Sequence, residues 1–195
     1  KGESSGWDLP PSLSPQIIRT LCSFVKVVPR DRFVYKEELQ IAKKDFFSNS
    51  GVLDETKSNY ALRMNQFYDW YFLTRKLNSH MQTPLSVASE QRDLRLSDQD
   101  HEALKILLQH EHSIYEFLKI KNDIMTVKDL FSGKKIEIQS ENHIFSFDPK
   151  ETFEARIIAI NNRRHFLKGF CFHPESALKY ILEEIKIFRK NPDLD

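Results

Sequence analysis

Five short runs of β-branched and aromatic residues between positions 113 and 172 constrain the fold of this chain most. They cover residues 114–120, 124–131, 135–139, 153–160 and 165–172. Runs of this length, partly alternating between apolar and polar residues, predict β-strands. The turn residues between them, Asn122 with Asp123, Ser132 with Gly133 and Asn161 with Asn162, favour tight turns because Asn and Gly tolerate positive φ. Several antiparallel strands in about 60 residues predict a small barrel or curled sheet.

Helical periodicity characterises the sequence on both sides of these runs. Residues 1–13 contain Gly, Ser and Pro and are predicted to form a flexible lead. Residues 14–112 are predicted to be a helical region, which begins with a helix over 14–28. Residues 56–77 carry a broad aromatic stripe that predicts a central helix. Ser97 with Asp98 and Asp100 predicts another helix start.

The predicted fold class is α+β, with a helical N-terminal half, a small antiparallel β-barrel or curled sheet, and a C-terminal helix that covers the sheet. Residues 113–195 would form the second domain, although both halves could share one core. No apolar run approaches the roughly 20 residues of a membrane-spanning helix, and no secretory leader is visible. We therefore expect no membrane association and a cytoplasmic location. Cys22 and Cys171 are expected to be buried thiols, with one disulfide as the alternative.

Two short groups have the residue types of a metal or nucleophile site. His110-Glu111-His112 offers two imidazoles, but they face the same way only on a strand, and zinc would require further ligands. Cys171 and His173 could pair a thiol with a base, yet the apolar neighbours of Cys171 favour a buried strand end. The sequence therefore predicts no metal and no nucleophilic cysteine.

Asp69 is a carboxylate on the most apolar predicted helix. If buried it requires a hydrogen-bond or ion-pair partner, for which Arg63, Arg75 and the Tyr68 hydroxyl are local candidates. This structural role is favoured over acid–base chemistry. Five glycines, none clustered after a strand, exclude the usual dinucleotide and phosphate loops. We predict no catalytic residue and no cofactor.

One helix and several later segments resemble a group of uncharacterised bacterial proteins. Tyr68-Asp69-Trp70-Tyr71-Phe72 resembles their aspartate–tryptophan–aromatic helix signature, and residues 83–85, 113–116, 127–134 and 153–156 are similar to segments that follow it. Many of those proteins carry an SEC-C zinc motif. That motif requires a dense cysteine cluster, which two distant cysteines cannot form, so the resemblance implies neither zinc nor catalytic residues here.

Basic residues that collect near the predicted turns form a candidate nucleic-acid site. They are Lys121, Lys128, Lys134, Lys135, Arg163 and Arg164. Small barrels bind nucleic acid through turn cations and strand aromatics, and Tyr115 and Phe117 could stack on bases if they were exposed. The net charge of +1 gives no general basic excess in support.

The absence of a catalytic or cofactor signature in a well-packed chain favours a non-catalytic interaction module that binds a protein partner. A small barrel that binds nucleic acid is the alternative hypothesis, and an unrecognised enzyme is the third. Fold class alone does not decide among them.

Overall fold

The computed structural model describes residues 32–77, 81–90, 96–140 and 147–191. The predicted lead over 1–13, the predicted helix over 14–28 and Cys22 lie outside these ranges. The chain divides into two compact units, Lys1–Gln109 and His110–Asp195, which are called the helical unit and the sheet unit below. Each is described by itself.

The described part of the helical unit contains four helices. They are α1 (Arg32–Ser50), α2 (Tyr60–Leu73), α3 (Pro84–Glu90) and α4 (Asp98–Leu108). Much of the aromatic stripe of α2 is buried, since Phe67, Tyr71 and Phe72 pack with Ala42 and Phe47 of α1 in one apolar cluster. Tyr68 and Trp70 are partly buried against this cluster. Such aromatic side chains bury large apolar areas, so they dominate the packing of this pair of helices.

Polar contacts fix the ends of two helices in the helical unit. Arg75, just after α2, bonds through Nε to Glu38 and through Nη1 to Asp45, each at 3.0 Å, and so ties this end of α2 to α1. At the start of α4, Ser97 and Asp100 form a reciprocal capping box. The predicted helix start at Ser97 is therefore confirmed.

The described part of the sheet unit contains six antiparallel strands. They are β1 (Glu111–Lys121), β2 (Ile124–Asp129), β3 (Lys135–Gln139), β4 (Thr152–Ile160), β5 (Arg163–Phe166) and β6 (Cys171–His173). Five strands follow the order β3-β2-β1-β4-β5, and β6 pairs with the first residues of β4. Because β3 and β5 also approach each other, the sheet curls into a half-barrel. The predicted α+β fold with a curled sheet is confirmed.

Two of the predicted tight turns have the backbone geometry that their residues favour. Asn122 and Asp123 join β1 to β2, and Asn161 and Asn162 join β4 to β5, all four with φ between 50° and 61°. Two-residue hairpin turns of this kind match the twist of the flanking strands. Gly133, with a φ of 73°, lies in the loop between β2 and β3.

The predicted strand over 165–172 divides into β5 and β6. Phe166 stands opposite Ile157 and Cys171 opposite Glu154. A step of five residues along this segment therefore matches a step of three residues along β4. The two extra residues lie around Lys168 and Gly169, where the ladder is interrupted as in a bulge. The interruption sets which side chains of β6 face Glu154.

The side chain of Asp129 organises the end of β2. Its carboxylate accepts hydrogen bonds from the Ser113 hydroxyl at 2.7 Å, the Phe131 N–H at 2.8 Å and the Ser132 hydroxyl at 2.8 Å. Partial burial raises the pKa of Asp129, but these hydrogen bonds outweigh it, so the pKa lies below its ordinary value.

The C-terminal helix α5 (Leu178–Lys190) is anchored to the loop that follows β2. Arg189 donates from Nε to the Phe131 carbonyl at 2.6 Å and from Nη2 to the Leu130 carbonyl at 2.8 Å. The ring of Phe188 meets that of Phe131 edge-on at 5.7 Å. The last turn of α5 is therefore fixed to the sheet by polar and aromatic contacts together.

Candidate functional site

Two of the six predicted nucleic-acid-binding residues meet at one cleft. Lys135 in β3 and Arg164 in β5 line it together with Lys119, Leu118, Thr126 and Glu137. Its volume is about 710 Å³, and it lies where β3 and β5 approach each other. Three cations and one carboxylate give this cleft a mixed but mainly positive charge.

The other predicted basic residues do not line this cleft. Lys121, Lys134 and Arg163 are exposed, at the end of β1, before β3 and at the start of β5. Lys128 stands directly opposite Lys135 across β2 and β3. Because two like charges lie opposite each other here, they repel, and together they raise the positive potential on their face of the sheet.

The two aromatic residues proposed for base stacking are not available. Tyr115 and Phe117 retain only 1% and 8% of their surface, so the exposure that base stacking would require is not met. They face the apolar interior of the curled sheet, where Tyr115 meets Phe153 and Phe166. Burial, with the nearby carboxylates of Asp129 and Glu111, raises the pKa of Tyr115 above its ordinary value.

Glu154, Cys171 and His173 form a group of potential metal ligands in the described part of the chain. A carboxylate oxygen, the Cys171 Sγ and a ring nitrogen of His173 all lie within 4.8 Å of one another. The strand register explains the grouping, since Cys171 is opposite Glu154 and His173 is opposite Thr152. Alternate residues of a strand share a face, so all three side chains lie on one side of the sheet.

His112 adjoins this group from β1. Its Nε2 lies 2.6 Å from Oε1 of Glu154. The hydrogen bond from His112 lowers the pKa of Glu154, and the charges of His112, Arg156 and His173 add to this effect, so together they outweigh burial. These contacts therefore favour the ionised form of the Glu154 carboxylate.

The remaining sequence candidates have other surroundings. His110 precedes β1 and is not part of the ligand group found among the described residues. Asp69 is 5% exposed within α2. Of its suggested helpers, Arg75 bonds to Glu38 and Asp45 as described above, and Arg63 donates to the carbonyl oxygens of residues 50 and 51.

An exposed apolar surface lies on α5. Tyr180, Ile187 and Phe188 are 65%, 49% and 45% exposed, and they are called the α5 face below. Tyr180 and Ile187 are seven residues apart and so share one side of the helix. Glu183 and Glu184 lie between them along the helix and are also exposed.

The sequence analysis considered Cys171 and His173 as a thiol with a base and favoured a buried strand end for Cys171, so it did not predict a pair of metal ligands. Cys171 and His173 are two residues apart, which on a strand places both side chains on one face. That spacing was a signal for a pair of ligands, whereas the prediction considered a thiol with a base. Neither segment alone encodes the pairing of β4 with β6. The sequence around Cys171 and His173 therefore gives no indication that Glu154 lies next to them.

The fold and these surfaces define a two-unit α+β protein with a half-barrel sheet and an amphipathic C-terminal helix. The chain belongs to DUF7986, a family of unknown function, which matches residues 27–195. The predicted resemblance to uncharacterised proteins is confirmed to this extent. No curated protein and no solved structure matches the chain. Within the described ranges, no helix combines the length and the apolar character needed to cross a membrane.

Proposed function

We propose that this protein is a non-catalytic interaction module that binds a protein partner through the α5 face. The supporting observation is the exposure of Tyr180, Ile187 and Phe188 on a helix whose last turn is anchored to the sheet unit. Aromatic and large aliphatic side chains that remain exposed together commonly mark interaction surfaces. Because α5 is held in place by Arg189, little ordering of the helix would be required on binding.

The two acidic residues between Tyr180 and Ile187 favour one kind of partner, whereas the exposed Lys179 and Lys186 adjoin the same two side chains. Glu183 and Glu184 lie within one turn of both Tyr180 and Ile187. An amphipathic helical segment with apolar anchors flanked by Lys or Arg would complement this arrangement. A second copy of α5 would not, because antiparallel pairing centred on the face would bring the two glutamates against those of the other copy.

Replacing Ile187 with glutamate is expected to weaken partner binding at least about 10-fold, since a charge would be desolvated in the interface. Ile41→Glu is the matched control, because Ile41 on α1 is 51% exposed and Ile187 is 49% exposed. Affinity enrichment would be carried out with the wild type and with each variant. Candidate partners are the proteins that wild type and Ile41→Glu retain and that Ile187→Glu does not. Their dissociation constants would then be measured by biolayer interferometry. If no protein distinguishes the two variants, the α5 face is not the binding surface.

Nucleic-acid binding is a second candidate function, supported by the cleft that Lys119, Lys135 and Arg164 share. With Tyr115 and Phe117 buried, such binding would rest on phosphate contacts and would depend strongly on salt. The carboxylate of Glu137 in the same cleft would repel phosphate groups and so disfavours nucleic-acid binding.

The double variant Lys135→Gln/Arg164→Gln is expected to make the negative slope of log affinity against log salt less steep by about 2. Each removed cation would leave one phosphate without its neutralising partner. Lys134→Gln/Arg163→Gln is the matched control, since these exposed neighbours do not line the cleft. Fluorescence polarisation with labelled single- and double-stranded DNA and RNA at two salt concentrations measures the salt dependence of binding for both double variants. Equal effects of the two double variants would exclude the cleft as the site, and an absence of binding at low salt would exclude the function.

We also propose a bacterial, cytoplasmic protein related to those that often carry the SEC-C motif. The similarity of residues 68–72 and of the later segments to that group supports this proposal. An unrecognised enzyme is the third hypothesis, and we assign no catalytic residue to it.

A further inference from the structure

We propose that Glu154, Cys171 and His173 bind a zinc ion that fixes β6 to β4, with His112 orienting the carboxylate of Glu154. The three ligand atoms lie within 4.8 Å of one another on one face of the sheet unit. The site is separate from the α5 face and from the cleft between β3 and β5, so this proposal does not depend on the proposed function.

The chemistry of the donors selects the metal. A thiolate, an imidazole nitrogen and a carboxylate oxygen together are ligands that zinc accepts. Calcium and magnesium prefer oxygen donors alone, so Cys171 and His173 disfavour them. Among common divalent ions, zinc therefore fits this set of three side chains best.

The spacing of the ligand atoms is close to that of a metal centre. Zinc bond lengths of roughly 2.0–2.3 Å with tetrahedral angles place ligand atoms about 3.3–3.6 Å apart. The present separations, within 4.8 Å, therefore require closing movements of no more than about 1.5 Å, which side-chain rotations can supply. Three protein ligands leave the fourth tetrahedral position for water.

His173 supplies an independent observation in favour of a ligand. Its Nε2 is buried and has no hydrogen-bond partner among the described residues. A buried polar atom left without a partner is unfavourable, and such atoms are rare in folded proteins. Coordination to a metal through Nε2 would satisfy this nitrogen.

His112 has the position of a group that supports a ligand. Its Nε2 contacts Oε1 of Glu154 at 2.6 Å, a hydrogen-bond distance that is too short for two neighbouring ligands of one zinc ion. Ligating carboxylates are commonly oriented by such outer hydrogen bonds. We therefore assign His112 to positioning Glu154 and not to coordination.

The metal would strengthen a short element. β6 has three residues and pairs with three residues of β4. Two of the ligands lie on β6 and one on β4, so a bound ion would join the strands directly. Because β6 leads into α5, the ion would also fix the start of that helix.

The test is a titration of the reduced, metal-free full chain with Co²⁺, followed by displacement with Zn²⁺. One Co²⁺ per chain and a thiolate-to-cobalt charge-transfer band are expected, because Cys171 would supply the sulfur. Cys171→Ser should abolish the band, whereas Cys22→Ser should retain it. His173→Gln should weaken zinc binding at least about 100-fold and His112→Gln about 10-fold, while His101→Gln, at an exposed position on α4, should leave it unchanged.

Hydrogen exchange provides a second measurement. Zinc is expected to slow exchange in peptides that contain β6, and Cys171→Ser should remove this effect while its circular dichroism spectrum shows that it is folded. Glu154→Gln, which preserves the shape of the side chain, should also weaken zinc binding. The proposal would be overturned by an absence of the charge-transfer band, by loss of the band in Cys22→Ser, or by zinc binding without protection of β6.

Discussion

Truncation of Phe153 to alanine is expected to lower the free energy of unfolding of the sheet unit by about 4 kcal/mol. The side chain is fully buried, and five aromatic rings lie with their centroids 5.1–6.0 Å from its own. They belong to Tyr115, Phe147, Phe166, Phe170 and Phe172. Removing the ring would leave a cavity bordered by rigid side chains that cannot collapse into it, so the loss should fall in the upper part of the usual range.

Urea unfolding, followed by hydrogen exchange of peptides from β1 and β4, measures this change in the sheet unit. Phe188→Ala is the matched control, because Phe188 is 45% exposed and contacts Phe131 only at the edge of its ring. We expect that variant to lose no more than about 1 kcal/mol. A loss below about 2 kcal/mol for Phe153→Ala would contradict the central position of this ring in the core.

Replacing Asp129 with alanine is expected to cost about 2 kcal/mol, since three neighbouring groups would lose a charged acceptor. The Ser113 hydroxyl and the Phe131 N–H, at 2.7 and 2.8 Å, are only partly accessible to water as replacements. Asp129→Asn retains one carbonyl oxygen in the same place and should cost about half as much. Thermal and urea unfolding of both variants would measure the difference, and equal stability of wild type and alanine variant would show that the network contributes nothing.

The stability contributed by Asp129 should depend on pH. Its pKa in the folded chain lies below the ordinary value of 3.8, so its contribution is fully present above that value and is lost as the pH falls through the lower folded-state pKa. The stability difference between wild type and Asp129→Asn should therefore be constant near neutral pH and narrow below pH 3.8. A difference that widened in acid would contradict the direction of the pKa shift.

Features that depend on neighbouring residues could be predicted from the sequence. The turn at Asn122 and Asp123, the turn at Asn161 and Asn162 and the capping box at Ser97 each follow from the local chemistry of one or two side chains. The aromatic helix α2 followed from the amount of apolar surface that it must bury. These elements were sufficient to specify the α+β class.

Features that depend on strand pairing could not be predicted in the same way. The interruption at Lys168 and Gly169 shifts the register of β6 by two residues, and that shift brings Cys171 opposite Glu154. The Ser113 bond to Asp129 likewise joins residues of different strands. The alternating pattern around Tyr115 did not decide which face of β1 is exposed. Tyr115, a candidate for stacking on bases, is part of the core.

An antiparallel sheet that does not close leaves two strand edges whose backbone groups can template a further strand. In the described part of the sheet unit, β3 forms one edge and β5 with β6 the other, and β3 and β5 curl toward each other with Lys135, Glu137 and Arg164 at the seam. An incoming strand would have to strip water from these charges, so edge-to-edge aggregation is disfavoured. The charges that would attract a polyanion thus also help to keep separate copies of the half-barrel from joining into extended sheets.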